Sequence, residues 1–175
     1  MALIIAQIVG VSAVALYLLS FQLKRRGHII LVTCISNFLY VLQYFLLGAF
    51  SGAFLDALST VSSFFAGKKN VPHFRKYAGF AVFTMTILIV GVGLAFAIGK
   101  RNWVELLPIG GALFQTTGLW FDNEQTIRKF ALAGTPFWLV YNFISQAYGA
   151  AVGSLLTIIS ILVALFRYYK VKPVS

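Results

Sequence analysis

Asp56 is the only carboxylate set well inside an apolar stretch of this chain, and Glu105 sits near the outer edge of another. Ser59, Thr60 and Ser63 fall three, four and seven residues beyond Asp56, so on a helix they share its face. A charged Asp in hydrocarbon is costly and must face protein or water, pair with a donor, or be protonated. Two chemistries suit such a face. It contacts a solute or a cation, with Asp56 passing a proton or Na⁺ beside the solute. Alternatively its hydroxyls tighten helix packing while Asp56 reaches water near the outer interface.

A second set of groups combines amides with aromatics. Asn37, Tyr40, Gln43 and Tyr44 occupy one stretch; Trp138, Tyr141, Asn142 and Gln146 occupy another. Asn37 and Tyr44 are seven residues apart and Trp138 and Asn142 four, so each pair shares a helix face. Trp138 falls at mid-stretch, where an interfacial anchor is not expected. Trp103, Trp120, Tyr168 and Tyr169 lie near stretch ends and read as belt residues. An aromatic plate beside an amide can orient a hydroxylated ring or a heteroaromatic base. The same groups can also serve as a core aromatic and an interhelical amide bond. Gln115 and Thr116, at mid-depth, either add a hydrogen bond to such a pocket or stitch two helices together.

Enzymatic chemistry finds no footing here. Nothing resembles a phosphate loop, a paired carboxylate centre or a nucleophile with an adjacent base. His28 and His73 sit in basic loops and complete no ligand cluster, so neither a metal nor a cofactor is expected. The single cysteine, Cys34, excludes a disulfide within the chain and reads as a buried space-filler.

The elements that must position these groups are apolar. Ala2–Phe21, Ile29–Leu47, Ser51–Gly67, Tyr77–Gly99, Arg101–Phe121, Phe130–Gln146 and Gly149–Phe166 are each long enough, or nearly so, to cross a bilayer as a helix. With 60% apolar and 10% charged residues, and a mean hydropathy of +0.89, little sequence is left for a soluble domain. Loop charge then orients the spans. If the N-terminus is outside, the inner segments hold Lys24, Arg25, Arg26, Lys68, Lys69, Arg75, Lys76, Arg128, Lys129, Arg167, Lys170 and Lys172. The outer segments hold only Lys100 and Arg101. A net charge of +10 could suggest nucleic-acid binding, but the charge lies in loops and no helix carries a basic stripe. Small residues suggest close helix approach at Gly91, Ala95 and Gly99 in the fourth stretch, and at Gly149 and Gly153 in the seventh.

An internal repeat organises the spans. A shift of 100 residues aligns the first stretch with the fifth, pairing Gly10 with Gly110 and Phe21 with Phe121. A shift of 98 aligns the second and third with the sixth and seventh, pairing Tyr40 with Trp138, Tyr44 with Asn142, Ala53 with Ala151 and Ser62 with Ser160. The expected fold is all-α and polytopic, seven transmembrane helices in a 3+1+3 plan. Residues 1–67 form the first three-helix repeat, 68–100 the linker helix, and 101–175 the second repeat with a short basic tail. Equivalent spans then run in the same direction, around an axis along the membrane normal, where transport sites commonly form between repeats.

The repeat order, the segment Asn37–Ala53 around Tyr44, Gly48 and Gly52, and the closing run Phe137–Arg167 resemble the bacterial inner membrane protein family YgjV. More distantly, the architecture is similar to the clan of SWEET sugar facilitators, PnuC vitamin transporters and PQ-loop proteins. That likeness implies passage of a small polar solute between two triple-helix bundles, with aromatic and amide side chains near mid-membrane. The chain departs from the PQ-loop pattern, since it has no Pro-Gln dipeptide and only Pro108 and Pro136 lie within spans.

The expected protein is a secondary carrier or facilitator of the bacterial inner membrane, moving a small polar solute, sugar-, vitamin- or nucleoside-like and uncharged. Its N-terminus is outside and its C-terminus cytoplasmic. Substrate binding falls to Asn37, Tyr40, Tyr44, Asp56, Gln115, Trp138 and Asn142, with Trp138 and Asn142 facing Asn37 and Tyr44 across the axis. Partners are the solute, the lipid bilayer and a coupling proton or Na⁺; homo-oligomerisation stays open, and no nucleic acid is expected. The alternative is a non-transporting scaffold, receptor or accessory subunit whose polar positions serve helix packing.

Overall fold

A computed structural model describes residues 2–144 and 148–168; Gln146, Tyr169, Lys170 and Lys172 lie outside that range. The described residues form eight α-helices and one 3₁₀ turn, with no strand. The helices are α1 (Ala2–Gln22), α2 (Arg26–Leu46), α3 (Phe50–Lys68), α4 (Pro72–Arg75), α5 (Ala78–Lys100), α6 (Leu106–Leu119), α7 (Glu124–Ile144) and α8 (Tyr148–Tyr168). Their ends follow from local chemistry. Gly48, at φ +70°, closes α2 in a Schellman turn: the Gly48 amide donates to the Phe45 carbonyl and the Ala49 amide to that of Tyr44. Asn123 caps α7, its Oδ1 accepting from the amides of Gln125 and Thr126 at 2.8 and 3.2 Å.

Helix contacts define a ring. α1 packs on α2, α2 on α3, α3 on α6, α6 on α7, α7 on α8, and α8 on α1. Exchanging α1, α2 and α3 for α6, α7 and α8 leaves this set of contacts unchanged. α5 stands outside the ring against α3 and α6. Helix starts keep a matching register: Arg26 and Glu124 open α2 and α7, 98 residues apart, and Phe50 and Tyr148 open α3 and α8 at the same separation.

The ring is apolar outside and polar inside. Phe38, Phe45, Phe54, Leu155 and Phe166 are exposed, as are Phe80, Phe83 and Ile98 of α5, whereas Ser36, Asn37, Asp56, Ser62, Ser63, Thr135, Asn142 and Thr157 are buried. An exposed belt of large apolar side chains around a polar interior suits hydrocarbon as the surrounding solvent. Among the described residues, four helices are long and apolar enough to cross a membrane: Ile4–Gln22 of α1, α2, α5, and Ala150–Tyr168 of α8. α3 and α7 are long enough, but the polar residues on their inward faces lower their mean hydropathy.

Three expectations change. The fifth stretch is not helical from Arg101: Arg101 adopts φ 49° at the end of α5, a 3₁₀ turn covers Trp103–Glu105, and α6 has only 14 residues. Turn and helix together extend about 27 Å, just under a hydrocarbon core of about 30 Å. Arg128 and Lys129 lie within α7 rather than in a loop, because the Asn123 cap starts that helix six residues before Phe130. On α5, Gly91 and Gly99 face open space, and the packed side is Ile89, Gly93 and Ala97. A Cβ on Gly93 would lie 2.3 Å from Ile109 Cγ1. Four-residue spacing marks a face, but the neighbouring helix decides which face it meets. Gly153 does make close contact, its position for a Cβ lying 2.9 Å from Val14 Cγ2.

Candidate functional site

Within the ring is a narrow cavity of about 50 Å³, room for a few waters or a group of a few heavy atoms. Asn37, Tyr40, Tyr44, Asp56, Gln115, Trp138 and Asn142 all line it, joined by Tyr17, Thr135, Ala150, Ser154 and Thr157. α1, α2, α3, α6, α7 and α8 each contribute. Tyr44 and Asn142 sit in the last turns of α2 and α7, and Asp56 in the second turn of α3, so the cavity begins near one end of the bundle. A second, much smaller cavity of about 10 Å³ continues toward the other end and shares Tyr17, Asn37 and Gln115 with the first.

Packing sets the walls. Tyr40 stacks on Tyr44 at 6.1 Å, and Tyr17 meets Tyr40 edge-on at 6.4 Å. Trp138 lies over Gly111, where a Cβ would approach its Nε1 to 2.5 Å, and Tyr141 braces it edge-on at 6.2 Å. Gln115 Nε2 donates to Thr135 Oγ1 at 3.5 Å, a long bond between α6 and α7. Asn142 Nδ2 donates to Ser154 Oγ at 3.3 Å, and Ser154 Oγ donates to the Ala150 carbonyl at 3.0 Å.

Several cavity atoms have no protein partner among the described residues. Trp138 Nε1 and Asn142 Oδ1 are buried and unbonded. No cation pairs with the Asp56 carboxylate, and neither it nor the hydroxyls of Tyr17, Tyr40 and Tyr44 make a hydrogen bond. The other hydroxyls on the Asp56 face are engaged: Ser59, Thr60 and Ser63 each donate to the carbonyl four residues earlier. Gln43 turns away from the cavity and packs against Gly10.

The far end of the bundle is closed by arginines. Arg26 at the start of α2 donates to the carbonyls of Ala66 and Leu119 at 2.9 Å and of Phe121 at 2.7 Å, binding the ends of α3 and α6. Arg128 in α7 donates to Phe21 O at 3.1 Å and Leu23 O at 2.7 Å, and lies 4.6 Å from the Tyr168 ring, binding the ends of α1 and α8. Lys69 donates to the Trp120 carbonyl and pairs with Asp122 at 2.9 Å. Two aromatics read as belt residues are structural here: Trp120 Nε1 donates to Ser62 Oγ at 3.1 Å, and Tyr168 OH donates to Gln22 O at 2.8 Å. Trp103, 82% exposed, keeps a position suited to a belt.

Sequence reasoning missed Tyr17 and Thr135 on the cavity wall. Tyr17 carried a weak signal, a polar-tipped aromatic set back from its stretch's end. Thr135 carried none, because its hydroxyl bonds the Ala131 carbonyl like any helical threonine.

No curated protein and no solved structure matches the chain, so the likeness to the SWEET and PnuC clan rests on helix order alone. A family model described as bacterial inner membrane protein, Imp-YgjV, matches residues 4–172 and so runs through every helix of the ring and through α5. With its apolar exterior and polar interior, the chain belongs to the Imp-YgjV family of bacterial inner membrane proteins.

Proposed function

We propose that α1, α2, α3, α5, α6, α7 and α8 all cross the membrane, N-terminus outside and C-terminus cytoplasmic, and that the six-helix ring carries a small polar solute along its axis. The protein is then a secondary carrier or facilitator of 3+1+3 design. The observation that supports this most is the pair of axial cavities sharing Tyr17, Asn37 and Gln115, with unbonded polar atoms in the wider one. Polar atoms left unbonded at membrane depth are costly unless a ligand or water meets them. Phe21, Leu119 and Ile127 narrow the second cavity beside the arginine caps, a natural inner gate. In this reading Asp56 couples transport to a proton or Na⁺.

Saturable uptake into proteoliposomes, screened over sugars, vitamins, nucleosides and amines, tests the reading. A carrier gives saturable uptake sensitive to W138A and N142A. For an uncharged solute, D56N should lose accumulation against a gradient and keep downhill exchange if the acid couples. The competing reading, a scaffold or accessory subunit, draws on the many core hydroxyls that bond their own helices and on the narrowness of the cavity; it gives no uptake of any solute. Cysteines introduced at residues 2 and 175 in a Cys34→Ser background report topology. Labelling at 175 in intact cells would refute the orientation.

A further inference from the structure

We propose that the wider cavity selects a small hydroxylated organic cation, an amino-alcohol of ethanolamine or choline type, rather than the uncharged solute expected from the sequence; this rests on the carrier reading above. Charge is the first argument. Asp56 is 8% exposed and unpaired, and no Lys, Arg or His lines the cavity. An ionised carboxylate there has no compensating charge in the protein, and a cationic ligand supplies it.

Hydrogen-bond polarity is the second. Ser154 Oγ donates to the Ala150 carbonyl and accepts from Asn142 Nδ2, an arrangement that leaves Asn142 Oδ1 without a partner among the described residues. The unbonded atom, Asn142 Oδ1, is therefore an acceptor, like the Asp56 carboxylate. Two acceptors call for a ligand rich in donors. The free donor, Trp138 Nε1, suits a hydroxyl oxygen on the same ligand.

The aromatic walls are the third. Tyr17, Tyr40, Tyr44 and Trp138 surround the same space, and ring faces attract ammonium groups more readily than they replace the water shell of a hard ion. A divalent metal would want six or more oxygens, and the described residues contain no group of three His, Cys, Asp or Glu that could hold one.

The test uses the purified full chain in detergent and in proteoliposomes. Tryptophan emission is titrated with ethanolamine, choline, erythritol and NaCl, with W138F identifying the Trp138 component. Saturable quenching by ethanolamine or choline is expected, absent with erythritol, and weakened about thirtyfold or more in D56N. D56E, which keeps the charge, should retain much of the response. If D56N does not fold, N142A replaces it and should weaken binding about tenfold. Equal response to erythritol, or no response to either amine, overturns the cation inference while leaving uptake of a neutral solute open to the screen above. Response to Na⁺ alone assigns the site to an inorganic ion and overturns it as well. Amine binding without any uptake upholds this inference and refutes the carrier.

Discussion

At the depth of the last turns of α2, the first triplet presents Tyr40 and Tyr44 to the cavity, with Asp56 behind them on α3. At the matching depth of the second, Trp138 and Asn142 stand on α7 with Ser154 on α8. The positions correspond at the 98-residue offset, yet one wall carries the acid and phenols and the other an indole and an amide. In the proposed carrier, the first triplet would hold the solute's charge and the second would orient it. Matching helix contacts with divergent side chains thus give the cavity two chemically different walls.

The arginine-closed end shows the converse. Arg26 and Arg128 perform equivalent tasks, each binding the ends of two neighbouring helices, but they are not repeat equivalents: Arg26 matches Glu124, whose Oε1 accepts from the Arg26 amide at 3.2 Å. Each long side chain reaches the carbonyls at the ends of two neighbouring helices from a different turn of its own helix.

The greatest loss should come from R128A. Arg128 is 1% exposed and makes two charge-assisted bonds to carbonyls. Removing them should cost about 3–5 kcal/mol and lower the thermal midpoint in detergent sharply. R26A should be milder, because water reaches that site. Equal effects would show that the two closures are energetically alike. Next, W138A and N142A should each reduce transport about thirtyfold with the fold intact, and Y44F by only a few-fold. Equal losses from both walls would deny the division of roles. G93A should then destabilise by about 1–2 kcal/mol through its clash with Ile109, whereas G91A should be neutral or stabilise slightly; a reversed order in thermal unfolding would move α5 to another face.

The smallest effect belongs to Asp122. The hydrogen bond from Lys69, with Asn70 and Arg26 adding to it, holds its carboxyl below the usual carboxylate range. Because the folded state is the stronger acid, this contribution is complete above the unfolded value and is lost as pH falls through the folded one. At 70% side-chain exposure it is worth under about 1 kcal/mol. D122N should flatten the acid limb of the stability profile slightly, as read by unfolding midpoints below about pH 4.

The long helices were legible because hydrocarbon demands runs of apolar residues, and Gly48 and Asn123 mark ends through local geometry. Trp138 and Asn142 were legible as a pair because polar groups at membrane depth are rare. Tyr168 and Trp120 were misread, since composition near a span end does not distinguish a side chain facing lipid from one bonded to a neighbouring helix. The start of α6 was missed because Arg101 adopts a left-handed conformation that nothing in its residue type announces.

The sequence by itself determined depth: apolar length and a 1.5 Å rise per residue place Asp56, Tyr44 and Asn142 along their helices before any packing is known. Rotation belonged to the tertiary structure. Which side of α5 meets α6, which way Gln43 turns, and which atom of Asn142 stays free depend on the shape of the opposing surface and on the hydrogen bonds of Ser154. Helical periodicity groups residues into faces, but only contact with a second helix tells one face from another.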